Sequence, residues 1–285
     1  MRRAFTFGYG SIMPHPMRTI LILIIVWLLP GPALAATTPW QDVGQGARLR
    51  LITSDVREAD GTTLAGLELD MPEADSTYWR LPGETGIPTQ VDISGSSGIA
   101  AAEIEWPYPT PEITSGYLDY VYRGPTVLPL RLHLSGGMAN LTASVMMGLC
   151  SDVCVPVKAS FALPLSFDRA DPAQRIRLRQ AESLVPVPWD GAAPPFSNVR
   201  YDAAARGLRL AVDDPTIDAS SVIASTADPT VIFDAPQKSP DGRTILLPLR
   251  AKDVGIEWAG RPIQLTFMTP RGSFDISEQV TAPKP

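Results

Sequence analysis

The sequence predicts an all-β protein in which an antiparallel β-sandwich is followed by a second, smaller β-sandwich. Short runs of alternating or β-branched residues recur along the chain and are divided by turn residues. Proline and glycine are abundant, at 29 and 22 residues, and strong helical patterns are scarce. A parallel α/β sheet would need helices between its strands, and the pattern shows no such alternation. We therefore expect antiparallel sheets packed face to face.

The first sandwich is expected over residues 36–167. Its strand-like segments are short and are separated by turn signals, as in sandwiches generally. The segments with this pattern are residues 47–54, 63–69, 90–94, 100–106, 126–134, 141–147 and 159–167.

One helix is predicted after the first sandwich. Asp171 suits the N-cap, Pro172 suits the first helical position, and residues 173–184 are good helix formers. The proline-rich residues 185–195 then predict a semi-rigid linker. We assign residues 168–195 to this helix and linker.

The second β-rich domain is expected over residues 196–285. Its length of about 90 residues is enough for a small sandwich. The segments with a strand pattern are residues 198–202, 207–212, 230–233, 244–249, 262–268 and 273–280.

The N-terminal residues 1–35 have the features of a signal peptide. Arginines precede an uninterrupted apolar run over residues 20–29, and Ala33-Leu34-Ala35 has the small-x-small form of a cleavage site. That run is too short to span a bilayer, which takes about 20 residues. We therefore expect export to the periplasm, with a mature chain that starts at Ala36 and has no transmembrane segment.

The charge of the mature chain argues against two classes of partner. Removing residues 1–35, which contain three arginines and no acid, leaves 250 residues and changes the formal net charge from −6 to −9. An acidic protein is poorly suited to bind nucleic acid or anionic lipid. Export to an oxidising compartment also allows a disulfide to persist.

The two cysteines, Cys150 and Cys154, are the only ones in the sequence. Residues 141–147 alternate before them, and residues 161–165 carry apolar side chains of one parity after them. This pattern, on both sides of a short Gly-containing link, predicts a hairpin with the cysteines near its tip. Such a hairpin can bring the two Cα atoms within the roughly 4.4–6.8 Å that a disulfide requires.

Three roles for this cysteine pair are open. A bridge that closes about five residues contributes little chain entropy, on the order of 2 kcal/mol, and a chain of this length can build a core without it. The short loop therefore favours redox exchange or metal binding. The metal alternative is Cu(I) held by Cys150, Cys154 and Met147, with Met146 nearby, because soft sulfur ligands suit that ion. The third role is an inert structural disulfide in an interaction protein.

Other catalytic chemistry has little support in the sequence. His133 is the only histidine of the mature chain, which removes most metal sites and Ser-His-Asp arrangements. The nucleophile-elbow, P-loop and dinucleotide-binding motifs are also missing.

Several segments together resemble the N-terminal periplasmic domain of the DsbD/ScsB-type thiol:disulfide interchange proteins. Their order and spacing match that family, and the resemblance is strongest over residues 45–167. The segments are YWRLPGETGIP at 78–88, AEIEWPYPTP at 102–111, GYLDYVY at 116–122 with VLPL at 127–130, and CSDVCVP at 150–156.

The resemblance implies that the first domain is an immunoglobulin-like sandwich with a redox-active cysteine pair, at Cys150 and Cys154. In that family the domain takes electrons from a membrane-embedded partner and passes them to thioredoxin-like acceptors outside the cytoplasm. Family members also shield the pair with a cap loop that carries an aromatic side chain. The matching stretch here is residues 112–122, with Tyr117 and Tyr120 as the candidates.

We therefore expect an exported thiol–disulfide relay protein that needs no cofactor. If it is an enzyme, it is of the thiol–disulfide oxidoreductase kind. We expect a stand-alone protein without the membrane-embedded and C-terminal thioredoxin-like domains of that family, and therefore an electron source on another polypeptide. The expected partners are a thioredoxin-like periplasmic protein, a separate membrane electron-transfer protein, or both.

Overall fold

The structure is a computed structural model that describes residues 36–151, 153–250 and 256–281, together with Gly8. Apart from Gly8, the signal peptide predicted over residues 1–35 lies outside the described residues. In the described part, the chain forms nineteen strands and one helix, which confirms the all-β class. None of the helical structure in these ranges has the length and apolarity that a membrane crossing requires.

The first sandwich consists of two antiparallel sheets. Each sheet mixes strands that are near and far in sequence, so both are closed by long-range pairing. One sheet has the order β1 (Gln41–Gly44), β2 (Ala47–Thr53), β3 (Thr62–Asp70), β9 (Thr126–Leu134) and β6 (Ile99–Ile104). The other has the order β11 (Cys154–Pro164), β10 (Asn140–Cys150), β4 (Ser76–Gly83), β8 (Tyr117–Arg123) and β7 (Thr110–Thr114), with β5 (Gln90–Asp92) also paired to β10.

The core of the first sandwich follows from the period-two alternation of these strands. On β11, the residues Val157, Ala159, Phe161 and Leu163 are buried, and the residues between them are exposed. Because successive side chains of a strand point to opposite faces, this parity places one face of the sheet on the core and the other towards solvent. The hairpin of β10 and β11 thus presents even-numbered positions, including Cys150 and Cys154, on its outer face.

The helix α1 (Pro172–Glu182) covers the outer face of the β2-β3-β9 sheet. As predicted, Asp171 is its N-cap and accepts a hydrogen bond from the Gln174 backbone N–H, with Pro172 in the first turn. Leu178 is fully buried against Ile52 and Leu64. Because the helix covers the outer face of this sheet, β3 is buried on both faces, unlike β11.

The second sandwich also consists of two sheets, each four-stranded within the described residues. Its core contains a separate cluster of buried apolar residues that includes Phe196, Phe233 and Phe267. One sheet has the order β12 (Val187–Pro188), β19 (Gly272–Gln279), β18 (Pro262–Thr269) and β15 (Asp218–Ser225). The other has the order β13 (Phe196–Asp202), β14 (Gly207–Val212), β17 (Thr244–Pro248) and β16 (Gln237–Lys238).

Two segments differ from their local sequence pattern. The proline-rich stretch predicted as a linker packs on the second sandwich: β12 pairs in parallel with β19, and the Trp189 ring lies 5.2 Å from that of Phe274. Residues 230–233, predicted as a strand, contribute only an isolated bridge between Phe233 and Leu249. That prediction was wrong because the Asp228 side chain turns the chain by accepting the Thr230 N–H and O–H.

The two sandwiches contact each other directly. Ile223 of β15 packs into the apolar core cluster of the first sandwich. The Tyr108 hydroxyl donates a hydrogen bond to the Ser221 carbonyl, and Arg80 Nη2 lies 3.3 Å from Thr266 Oγ1. Residues of the second sandwich therefore reach strands and loops that also build the cysteine site.

Candidate functional site

The cysteine pair forms the last rung of the β10–β11 hairpin. Eleven cross-strand pairs run from Asn140 opposite Pro164 to Cys150 opposite Cys154. The two cysteines are joined by a disulfide, and their Cα atoms lie 4.0 Å apart. The hairpin predicted from the alternation on both sides of the pair is therefore present, with the disulfide at its tip.

The two cysteines differ in their access to solvent. Cys150 is half-buried, whereas Cys154 is exposed. Val153, which precedes Cys154 in the loop, is 67% exposed. Cys154 is therefore the more accessible half of the disulfide. This matters because an attacking thiolate must reach its target sulfur.

Tyr78 on β4 is the residue that contacts both sulfurs. Its phenol oxygen lies 2.6 Å from Cys150 Sγ and 3.0 Å from Cys154 Sγ. The sulfurs of a disulfide carry no hydrogen, so the phenol O–H is the donor in this state. Tyr78 is almost completely buried. The site therefore pairs a disulfide that has one exposed cysteine with a buried hydroxyl that can stabilise a thiolate when the bond opens.

Two glycines make room for the Tyr78 ring. A Cβ on Gly148 would lie 2.8 Å from Tyr78 Cε2, and a Cβ on Gly86 would lie 2.5 Å from Tyr78 Cδ1. Gly148 precedes Cys150 by two residues, so both face the same side of β10. Cys150 is the cross-strand partner of Ser76, and continuing that register sets Gly148 opposite Tyr78. The ring therefore lies across Gly148, and its hydroxyl reaches the cysteines.

Residues 84–89, which we call the cover segment, lie against the Tyr78 ring. The Thr85 backbone N–H donates to Asp119 Oδ1 at 2.9 Å, and the Thr85 hydroxyl donates to Asp119 Oδ2. The Leu118 N–H donates to Glu84 Oε2 at 2.8 Å. Burial beneath this segment raises the pKa of the Tyr78 phenol, and the nearby Asp119 carboxylate adds to that shift. Tyr78 therefore remains a protonated hydrogen-bond donor at neutral pH.

The two tyrosines predicted for a cap loop both lie on β8 and have different environments. Tyr120 is buried in the sandwich core, where its ring packs edge-to-face on Trp79 at 5.7 Å. Tyr117 is 53% exposed beside the turn between β7 and β8. The burial of Tyr120 follows from strand alternation, because it shares its face of β8 with Leu118 and Tyr122, which also belong to the core cluster. The side chain in contact with the sulfurs is that of Tyr78, from a different strand.

The residues of the copper alternative are divided between two faces. Met147 is 1% exposed and belongs to the sandwich core, whereas Cys150 lies on the outer face of the same strand. Met147 is therefore not placed to complete a site with the two cysteines. Among the described residues, no cluster of three or more His, Cys, Asp or Glu side chains is placed to hold a metal ion.

A family comparison covers this site. Residues 50–166 match the family described as thiol:disulfide interchange protein DsbD, N-terminal. The matched segment contains Tyr78, the cover segment and both cysteines. Residues 50–166 are thus similar to the DsbD N-terminal domain. The resemblance predicted from the sequence segments is thereby confirmed.

A solved structure extends the likeness beyond the DsbD N-terminal-type domain. The crystal structure of the N-terminal periplasmic domain of ScsB from Proteus mirabilis has a TM-score of 0.67 and 20% sequence identity to this chain. The likeness covers 87% of this chain and all of that one, so it includes the second sandwich. It confirms the predicted immunoglobulin-like sandwich fold. No curated protein matches this chain.

Tyr78 is the site residue that the sequence analysis did not single out. It lies inside one of the segments that resemble DsbD, but its strand also carries Trp79 and Leu81, which are core residues. The sequence signal that could have indicated a side chain packed next to the cysteines is Gly148, a glycine on the same face as Cys150 in a long, regular strand. A glycine in a strand interior often marks the close approach of another group.

Proposed function

We propose that this protein is an exported thiol–disulfide relay that exchanges electrons through Cys150 and Cys154. The observation that supports the proposal best is the disulfide at the exposed hairpin tip with the Tyr78 hydroxyl on both sulfurs. The match of residues 50–166 to the DsbD N-terminal family agrees with it.

The exposures of the two cysteine residues suggest the order of bond changes. A thiolate of a reduced partner attacks the exposed Cys154 Sγ, forms a mixed disulfide and breaks the Cys150–Cys154 bond. The electron pair of that bond goes to Cys150 Sγ, where the Tyr78 O–H stabilises the developing thiolate. A second thiolate of the partner then attacks the mixed disulfide and releases Cys154. Two electrons and two protons have passed to the cysteine pair, and the partner has become a disulfide.

The reverse sequence passes the electrons on to an oxidised partner. We propose a thioredoxin-like periplasmic protein, a separate membrane electron-transfer protein, or both, as the partners. The signal-peptide pattern of residues 1–35 and the periplasmic ScsB domain of similar fold support this location.

Exchange with a bacterial thioredoxin, used as a probe, tests the proposal. Reduced thioredoxin should reduce the mature protein, whereas the C150S/C154S double variant should show no exchange and keep its circular dichroism spectrum. The single variants test the order of events. C150S, which keeps Cys154, should form a mixed disulfide with oxidised thioredoxin about tenfold faster than C154S does, because its thiolate attacks the disulfide of the probe and displaces one of the probe's thiolates. Equal exchange by the double variant and the native protein would refute the proposal.

The reduction potential separates a relay from a structural bridge. Equilibration of the Cys150–Cys154 pair with glutathione and dithiothreitol buffers should give a value between about −120 and −270 mV, the span of exchange-active proteins. A potential below about −300 mV is typical of structural disulfides and would contradict the proposed relay.

A further inference from the structure

We propose that Arg250, in the second sandwich, is a positioning residue for the redox site in the first. It holds the cover segment, residues 84–89, against Tyr78 and so keeps the phenol O–H on the sulfurs. This inference rests on the proposed function, and it gives the second sandwich a part in thiol–disulfide exchange.

Arg250 makes contacts on both sides of the boundary between the sandwiches. Its Nε lies 2.6 Å from Glu84 Oε2, in the cover segment. Its Nη1 lies 3.0 Å from Asp234 Oδ2, in the second sandwich, and its Nη2 donates to the Gly116 carbonyl at the β7–β8 turn. One guanidinium thus ties the second sandwich to two loops of the first.

The contact between Arg250 and Glu84 is linked to the sulfurs through the cover segment and Tyr78. Glu84 Oε2 also accepts the Leu118 N–H, and its neighbour Thr85 is bonded to Asp119. Gly86, two residues after Glu84, lies so close to the Tyr78 ring that a Cβ there would overlap it. A shift of the cover segment therefore changes the packing on Tyr78, whose hydroxyl is the sulfur contact.

The geometry of this tie requires arginine. The planar guanidinium offers five N–H donors in fixed directions and can serve three acceptors at once, whereas a lysine ammonium acts as a point charge on a flexible stem. The side chains of Arg250 and Glu84 are only 17% and 25% exposed, so water screens their pairing less than that of a surface pair. By comparison, Arg271 and Asp190 in a surface pair are 55% and 65% exposed.

The test measures the first macroscopic thiol pKa of the reduced mature protein from the ultraviolet absorbance of the thiolate. We expect R250A to raise this pKa and to lower the thiolate population at neutral pH about threefold, because Tyr78 no longer stays in place to stabilise it. R250K should recover part of the loss. The matched control is R209A, which removes an Arg–Asp pair inside the second sandwich at Asp202 and should leave the thiolate population unchanged.

Two further variants decide whether Arg250 acts through this chain of contacts. E84Q removes the charge that Arg250 binds and keeps an acceptor for the Leu118 N–H, so it should reproduce the R250A effect. In a Y78F background, R250A should have no further effect on the thiol pKa, because the group that it positions is gone.

Two results would overturn the inference. If R250A lowers the unfolding midpoint but leaves the thiol pKa unchanged, Arg250 only joins the two sandwiches. If R250A shifts the pKa equally with and without the Tyr78 hydroxyl, its charge acts directly on the thiols. Failure of the proposed relay would be recognised separately, as absence of exchange between the native protein and thioredoxin.

Discussion

The phenol oxygen of Tyr78 lies 2.6 Å from Cys150 Sγ and 3.0 Å from Cys154 Sγ. Tyr78 comes from β4, more than seventy residues before the cysteines, and reaches them across Gly148. A hydrogen bond that favours the charged form of a thiol lowers its pKa, which raises the thiolate fraction at neutral pH and makes the sulfur a better leaving group. This contact is the basis of the first two predictions.

The Y78F variant should raise the first macroscopic pKa of the reduced cysteine pair by about one unit. The change removes one hydrogen bond to a thiolate, and a tenfold change in equilibrium corresponds to about one pKa unit. Absorbance titration of the reduced protein measures the shift. The control is Y122F, which removes a buried hydroxyl that donates to the Pro107 carbonyl, away from the sulfurs. An unchanged pKa in Y78F would show that the phenol does not stabilise the thiolate.

The G148A variant should lose about 1 to 3 kcal/mol of unfolding free energy, because the added Cβ would overlap both Tyr78 and Ile87 at 2.8 Å. Urea denaturation measures the loss. S144A changes an exposed residue of the same strand, and its effect should stay within about 0.5 kcal/mol. If the two variants are equally stable, Tyr78 does not lie across Gly148 as described.

The L178A variant should destabilise the protein by about 2 to 5 kcal/mol, since Leu178 is fully buried between α1 and the β2-β3-β9 sheet. Thermal and urea unfolding measure this change. Ile176 lies on the same helix and is 57% exposed, so I176A should alter stability by less than about 0.5 kcal/mol. Similar losses in both variants would mean that the helix contributes through its own stability instead of through burial.

Alkaline pH should weaken the contact between the sandwiches through Tyr108. Burial raises the pKa of this phenol to about 12, from an ordinary value of 10.0. A raised pKa means that folding favours the protonated form, so this contribution is fully present below pH 10 and is lost as the pH rises through about 12. Urea midpoints measured across this range should fall more steeply for the native protein than for Y108F. Equal slopes would contradict this assignment.

Much of the fold was predictable because its signals are local. The hairpin at the cysteines and the helix capped by Asp171 depend on alternation and on capping chemistry within a few residues. The strand β9 has the bounds predicted from the sequence, at Thr126–Leu134. By contrast, β15 was missed, because Ala219, Ser220 and Ser221 are small or polar and have weak strand preference.

The candidate site was predictable only in part, because its contacts join distant segments. The cysteines stand out by their number and spacing, and the family resemblance assigned them a role. Tyr78 and Arg250 reach the site through pairing between strands and sandwiches, at separations of 72 and 166 residues from Cys150 and Glu84. No periodicity within either segment marks these residues.

The position of the disulfide at the end of an eleven-pair hairpin has a consequence for recognition. Ten cross-strand pairs join β10 and β11 besides the disulfide rung, so electron transfer in the proposed relay should require no refolding of the hairpin. In that relay, donor and acceptor proteins would meet nearly the same molecular outline in both oxidation states. They would have to distinguish the reduced from the oxidised protein by the few atoms at the hairpin tip, and a product complex would dissociate without a change of shape.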